Sequence, residues 1–240
     1  MSDRERVLDP AAVRAYYDRF GSKQDHQGFY EDPALDDLIA HAGFQTARHV
    51  FEFGCGTGKL AARLLERPLP AAATYLGCDG APVMIDLAEH RLQRHAGRAR
   101  VILSDGAIRF PLADRSVDRV VCCYVLDLLA GPDIERFLAE SRRVIEPGGK
   151  VCIASLTNGV GLPSRLVSKL WHAIFRISPA VVGGCRPIDL DARIDPREWR
   201  VAHRCIVTPF GVPSQVLILE ANDQPATADE IEVAGCRNGH

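Results

Sequence analysis

Eleven consecutive residues, Val50-Phe51-Glu52-Phe53-Gly54-Cys55-Gly56-Thr57-Gly58-Lys59-Leu60, do most to limit what this chain can fold into. Val50, Phe51 and Phe53 form a short β-prone apolar run, three alternate glycines follow, and the alanines and leucines beyond them recur at helical spacing. The order is strand, tight turn, helix. Glycine is needed at such a turn because the chain takes backbone angles that a side chain forbids, and because a ligand can then lie directly against the main chain. The spacing G-x-G-x-G departs from the dinucleotide fingerprint, whose third glycine would stand where this chain has Lys59. It departs from the phosphate-binding loop as well, since Leu60 occupies the place of the magnesium-binding Ser or Thr and no glycine lies five residues before Gly58.

Around this turn, strand-like runs at 49–53, 74–78, 100–103, 119–123 and 150–155 alternate with helix-like stretches at about 58–67, 81–95 and 133–145. Such alternation argues for βαβ units and a parallel sheet, in which ligands bind beyond the carboxyl ends of the strands. Two helices are expected ahead of the sheet. One covers 10–20, with Asp9 as N-cap, Pro10 at its first position and Gly21 as its stop; the second starts at Asp32-Pro33 and runs to Gly43. At the other end, 200–209 and 213–221 flank Phe210-Gly211-Val212 and read as an antiparallel hairpin, and residues 222–240 read as a flexible tail.

Composition excludes several classes. A formal net charge of -2 gives no general basic surface for nucleic acid, and no apolar run reaches the length of a membrane span. The charged start Met1-Ser2-Asp3-Arg4-Glu5-Arg6 lacks the apolar stretch of a leader, so a cytoplasmic protein is expected, with peripheral membrane contact left open. The eight cysteines show no C-x-x-C and fall mostly inside strand patterns, which predicts reduced, largely buried thiols. The eight histidines show no metal-ligand spacing, and no metal is expected.

Glu52 followed by G-x-G-x-G resembles motif I of the class I S-adenosylmethionine-dependent methyltransferases. Four further segments resemble that family in order: Asp79-Gly80-Ala81-Pro82-Val83-Met84-Ile85 its D-x-S-x-x-M-L segment, with Ala81 for the usual Ser, and Ser104-Asp105-Gly106-Ala107 its G-D-A motif. Phe110 to Asp118 is similar to L-P-F-x-D-x-S-F-D, and Arg142 to Val151 to R-V-L-K-P-G-G-x-L. The nearest resemblance is to the ubiquinone/menaquinone-type small-molecule group. It implies an α/β, Rossmann-like fold: a seven-stranded, mostly parallel sheet with an antiparallel C-terminal hairpin, an N-terminal helical extension and a cap inserted between strands 5 and 6. A single domain over 1–221 is expected, divided into a helical lid (1–46), a cofactor-binding core (47–155), a cap (156–198) and the hairpin (199–221).

The resemblance implies S-adenosylmethionine as cofactor, S-adenosylhomocysteine as product, and a small-molecule acceptor that is apolar or lipid-like. The cofactor residues it implies are Glu52, which would help fix the amino-acid end, the loop residues Gly54, Cys55, Gly56 and Gly58, then Asp79 and Gly80 for the ribose, Met84 under the adenine, Asp105 and Gly106 at the adenine amino group, and Cys123 and Tyr124 near the methyl group. Asp79 also suits an N-cap for the following helix, Met84 a core position and Asp105 a turn. Relatives with a histidine pair near Asp127 and Leu128 differ from this chain, which leaves Asp127, with Tyr124, as the catalytic candidate and a solvated carboxylate as the alternative. Tyr17, Arg19 and Phe20, within Tyr17-Asp18-Arg19-Phe20, belong to a helix that closes over the cofactor in similar enzymes, and simple packing accounts for them equally.

In the cap, Leu162, Leu166, Leu170, Trp171, Ile174 and Phe175 recur at helical spacing while Arg165, Lys169, His172 and Arg176 line another face. Two readings stay open: a lid with a solvated charged face, or a surface over 162–177 that meets anionic lipid or admits a greasy substrate. Trp171 and Arg186 are the cap's substrate-binding candidates, Arg186 serving equally as a structural salt-bridge residue. No G-x-S-x-G elbow occurs, which disfavours a hydrolase. The rival functions are a non-catalytic S-adenosylmethionine-binding or partner-binding protein of the same fold and an NAD(P)-dependent oxidoreductase.

Overall fold

The computed structural model describes residues 7–222. Strands β1 (His49–Phe53), β2 (Thr74–Asp79), β3 (Ala99–Leu103), β4 (Val117–Cys123), β5 (Ile145–Leu156), β6 (Trp199–Val207) and β7 (Ser214–Ala221) form one sheet in the order β3-β2-β1-β4-β5-β7-β6. β7 runs antiparallel to both neighbours and every other pairing is parallel. The seven-stranded, mostly parallel sheet with its antiparallel end hairpin is thus present. Sequence order reverses direction between β1 and β4, and the carboxyl ends of these strands open the crevice where doubly wound sheets bind ligands.

Alternation along each strand divides the core into two layers. On one face Val50, Tyr75, Val121 and Cys152 pack against α2 (Gly28–His41), α3 (Lys59–Glu66) and α4 (Pro82–Leu92). On the other, Phe51, Val120, Cys122 and Ile153 pack against α5 (Gly131–Val144), Phe110 and Trp199. Glu52 therefore points to the first face, into an apolar layer, and this decides its chemistry. The seven described cysteines are unpaired, four of them buried.

α1 (Pro10–Phe20) has its expected cap, with Ala12 N donating to Asp9 Oδ1 at 2.8 Å. The second helix begins four residues earlier than expected and contains Pro33 in its interior. A 3-10 segment, Gly21–Gln27, leads straight into it, and burial of Tyr30 and the ion pair of Asp32 with Lys59 at 2.8 Å hold the first turn in place of a proline start. β5 likewise begins at Ile145, because Ile145 pairs with Val117 before the strand loops out over Glu146 to Gly149 and resumes at Lys150 opposite Arg119. The tail was expected from 222, yet Asn222 is anchored: its N–H donates to Glu198 O at 2.8 Å and its side-chain amide to Pro196 O at 2.8 Å. The rest of that tail lies outside the described residues.

Buried Arg119 joins α2 to the sheet. Its guanidinium donates to Ala42 O at 3.0 Å and Gly43 O at 2.7 Å, just past the end of α2, and to Asp118 O of β4 at 2.7 Å. Replacing Arg119 with Met removes the side-chain donor of Ala42 O and the tie from α2 to β4, while Gly43 O keeps its bonds from Thr46. The expected loss is about 3 kcal/mol, seen as a melting temperature lower by about 6–12 °C in circular dichroism. A fall of less than about 2 °C would show that Arg119 is not what holds this helix end.

Candidate active site

The turn after β1 adopts left-handed backbone at all three alternate glycines, with φ of 76°, 51° and 74° at Gly54, Gly56 and Gly58. Two amides of the turn, Gly54 N and Cys55 N, donate to Cys78 O at 2.8 and 2.9 Å. Gly56 N donates to Asp79 Oδ2 at 2.9 Å, while the other oxygen of Asp79 accepts Ala81 N at 2.9 Å. One carboxylate therefore fixes the glycine turn and the entry to α4 together. A Cβ at Gly54 would lie 2.2 Å from Val125 Cγ2, and one at Gly58 3.1 Å from Ala88 Cβ. Gly58 thus serves the packing of α3 on α4, and Gly54 the close approach of the segment after β4.

Above this turn lies a cavity of about 250 Å³. Its floor holds Gly54, Gly56, Asp79, Gly80, Met84 and Gly106, its far wall Cys123, Tyr124 and Val125, and its roof Val13, Arg14 and Tyr17 of α1 with Gln24 of the following 3-10 segment. Nine of the residues expected at the site meet here: Tyr17, Gly54, Gly56, Asp79, Gly80, Met84, Gly106, Cys123 and Tyr124. The roof is clasped down by polar contacts that the sequence alone did not announce. Thr57 Oγ1 donates to Asp25 Oδ1 at 2.7 Å, and Arg91 of α4 reaches Thr57 Oγ1 at 2.6 Å and Asp25 Oδ2 at 2.5 Å.

Other expected residues stand elsewhere. Glu52 is buried beneath the turn, where Tyr75 donates its phenol to Glu52 Oε2 at 2.5 Å, and it does not line the cavity. Cys55 is buried against Gly77. Asp105 is exposed and accepts Ala107 N at 2.9 Å, the turn role, while its neighbours Ser104 and Gly106 line the cavity. Arg19 is exposed, and the side chain of Phe20 lies outside the described residues. Trp171 packs with Tyr30 and Leu156 and donates to Cys185 O at 2.9 Å. Arg186 is buried and donates to the backbone carbonyls of Asp127 at 3.0 Å and Leu129 at 2.7 Å, tying the cap to the segment after β4.

Asp127 is wholly buried and does not line the cavity, although its neighbours Val125, Leu128 and Leu129 do. Neither of its carboxylate oxygens has a hydrogen-bond partner, although the amides of Asp127 and Leu156 lie near enough to influence it. Burial is the largest effect and pushes its carboxyl up to about 7, against the pull of those amides and of the Arg186 charge. Burial likewise pushes Glu31 up to about 7, and it raises the phenols of Tyr17, Tyr30 and Tyr124, which surround this acidic region. Tyr124 itself has φ of 56°, uncommon for a bulky residue, and its hydroxyl donates to Ser214 Oγ at 3.0 Å. The solvated alternative for Asp127 does not hold.

Arg14 and Gln24 were not anticipated. Arg14 faces the cavity without an acidic partner among the described residues, and Gln24 Oε1 is buried without a hydrogen bond beside Gly56. The available signal was helical spacing, since Arg14 stands three residues before Tyr17 on α1. One group of potential metal ligands also comes together, Asp37, His41 and His203, with His203 Nε2 2.7 Å from Asp37 Oδ2. Its two imidazoles stack at 3.8 Å, and none of the three residues lines the cavity. Sequence spacing hid this group because His203 lies on β6, far along the chain from α2.

Residues 50–149 match the sequence profile of a family described as a methyltransferase domain. A curated relative, methyltransferase GfsG of Streptomyces halstedii, is 30% identical over 145 residues, 55% of this chain and 50% of its own length. The demethylmenaquinone methyltransferase of Lactobacillus johnsonii is 31% identical over 127 residues, 52% of this chain and 49% of its own length. The chain thus spans about half the length of these two relatives. Among solved structures, geranyl diphosphate C-methyltransferase from Streptomyces coelicolor, in complex with magnesium, geranyl diphosphate and S-adenosylhomocysteine, superposes with a TM-score of 0.60 at 15% identity over 81% of this chain and 79% of that one.

A carboxyl raised in the folded state keeps its proton after the unfolded chain has ionised. Glu52, pushed by burial from 4.5 to about 8, therefore contributes stability that is full below pH 4.5 and is lost as pH rises to about 8. Unfolding titrations should show stability falling with pH by at most about 1.4 kcal/mol per unit from this group, and Glu52→Gln should flatten the curve between pH 7 and 8. An unchanged slope in the variant would exclude a protonated Glu52.

Proposed function

From the premise that residues 50–149 form a methyltransferase domain of the S-adenosylmethionine-dependent class I family, we propose that this protein methylates a small, largely apolar acceptor held between α1 and the segment after β4. The observation that supports this reading best is the cavity at the carboxyl ends of β1, β2 and β4, floored by bare glycine backbone and one ordered carboxylate.

The residues present fit S-adenosylmethionine. Asp79 already accepts one amide on each oxygen, and its remaining lone pairs suit the two hydroxyls of a ribose. Met84 supplies an apolar wall for a base, and a Cβ at Gly80 would meet nothing within 4 Å, so that side of the floor is open. Gln24 Oε1, buried without a hydrogen bond, suits an ammonium donor, and Arg14, with no acidic partner among the described residues, suits a carboxylate, which supports a place for the amino-acid end under the roof.

When bound, this cofactor supplies an electrophilic methyl group. The chain's own task is to align an acceptor with it and to exclude water, which the clasped roof and the buried wall at Tyr124 serve. Asp127, pushed up to about 7 and without a hydrogen-bond partner on its carboxylate, adjoins the lining residue Leu128 but does not itself line the cavity, so it can hold the proton of an acidic acceptor only if its carboxylate gains access to that space. Leu8, Val13, Leu128 and Leu129 around the opening favour an apolar acceptor over a charged polymer.

Calorimetric titration with S-adenosylhomocysteine tests the cofactor assignment. Tight binding should weaken by at least about tenfold in Asp79→Ala and in Arg14→Ala, and survive in Glu52→Gln. Binding of NAD in its place would overturn the family reading. With an acceptor in hand, turnover should rise with pH through about 7, and Asp127→Asn should remove that limb while leaving S-adenosylhomocysteine affinity unchanged. If the limb persists in the variant, Asp127 is not the base.

A further inference from the structure

The helix α6 (Leu162–Ile177) wears its apolar residues on the wrong side for a simple lid. Its inner face is formed by Ser164, Val167, Ser168, Trp171 and Phe175, which are buried or half-buried. Leu162, Leu166, Leu170 and Ile177 lie instead between 61 and 86% exposed. At about 100° per residue these four fall in one stripe roughly 80° wide, and Arg165, Lys169 and Arg176 form the adjoining stripe. All three cations are exposed, and none has an acidic partner among the described residues.

Two features extend the patch beyond the helix. Val181 follows α6 and is also exposed. The turn between β6 and β7 packs against α6, since a Cβ at Gly211 would lie 3.1 Å from Val167 Cγ2. In that turn Phe210 takes φ of 52° and is 80% exposed, its ring set edge-on to exposed Phe29 at 5.7 Å. A left-handed phenylalanine is uncommon, and here it holds a large ring out into solvent. Between Asn158 and Ile188 the chain contains no Asp or Glu at all. The stretch that carries α6 is thus free of anionic side chains.

Contiguous exposed apolar surface marks an interaction site, and the charge identifies the occupant. We propose that α6, with Phe210 at its flank, docks this protein onto an anionic lipid bilayer, the leucine stripe entering the acyl boundary and Arg165, Lys169 and Arg176 meeting the headgroups. A stripe of leucines beside a stripe of cations is what an in-plane interfacial helix requires, whereas the core of a protein–protein interface is depleted of charge and of Lys in particular. No helix among the described residues is long and apolar enough to cross a membrane, so the contact is peripheral. Docking does not require methyl transfer, and failure of one leaves the other standing.

The test is sedimentation of the full chain with vesicles of phosphatidylcholine alone and of phosphatidylcholine mixed with phosphatidylglycerol. Binding to the mixed vesicles is expected, weakening as salt is raised. Each of Arg165→Gln, Lys169→Gln and Arg176→Gln should reduce it about fivefold, and all three together about a hundredfold. Leu166→Ser with Leu170→Ser should abolish it, and the melting temperature should hold in every variant because these side chains are exposed. Absence of binding to either vesicle, or equal binding by the leucine and charge variants, would overturn the proposal. A dimer in light scattering that the leucine variant dissociates, without vesicle binding, would overturn it in favour of a second copy on this face.

Discussion

Three left-handed glycines in five residues make a turn that cannot hold itself, because such a turn closes few backbone bonds of its own. The end of β2 holds it: Cys78 accepts two of its amides and Asp79 a third. Everything at the site is positioned from this tie. The second oxygen of Asp79 starts α4, whose Arg91 then reaches Thr57 and Asp25 to secure the roof. The missing Cβ at Gly54 lets Val125 approach and brings the segment after β4 over the turn.

That segment introduces the second physical theme, charge held in apolar surroundings. Glu52 lies within the helix-packed face, with one phenol as its partner, and Asp127 lies in the cap interface with none. Burying an ionised carboxylate is expensive, so each keeps its proton well above the ordinary range. The two have different uses. Glu52 supports the turn from below through Tyr75, while Asp127 is placed among Tyr17, Tyr30 and Tyr124, where a proton held near neutrality has chemical value. Arg186 makes this region one unit by binding the carbonyls on either side of it.

Much of this was legible from residue order. The alternation of apolar runs gave the first four strands to within two residues, and Asp9-Pro10 with Gly21 bounded α1 as expected. The misreadings have physical causes. Proline is tolerated inside α2 because tertiary contacts of Tyr30 and Asp32 outweigh one lost hydrogen bond. Glu52 was assigned to a ligand by its place in a motif, whereas the period of a strand sends its side chain to the packed face with Val50. Asp105 takes the turn role that the sequence left open, and Arg186 donates to two carbonyls that no sequence pattern identifies.

What the sequence alone determined is local or periodic: the glycine turn, the parallel sheet, the carboxylate after β2 and the two-sided character of α6. These follow from backbone sterics and side-chain period, which act over a few residues. Only the tertiary structure decided which groups face the cavity and which are sealed away. Arg14 and Gln24 enter because the N-terminal segment is clasped over the turn, and Asp127 loses solvent because the cap closes on it. The leucines of α6 lie outward because Ser164, Ser168 and Phe175 fill the inner face first. Burial is set by packing between segments far apart in the chain, and no local pattern contains it.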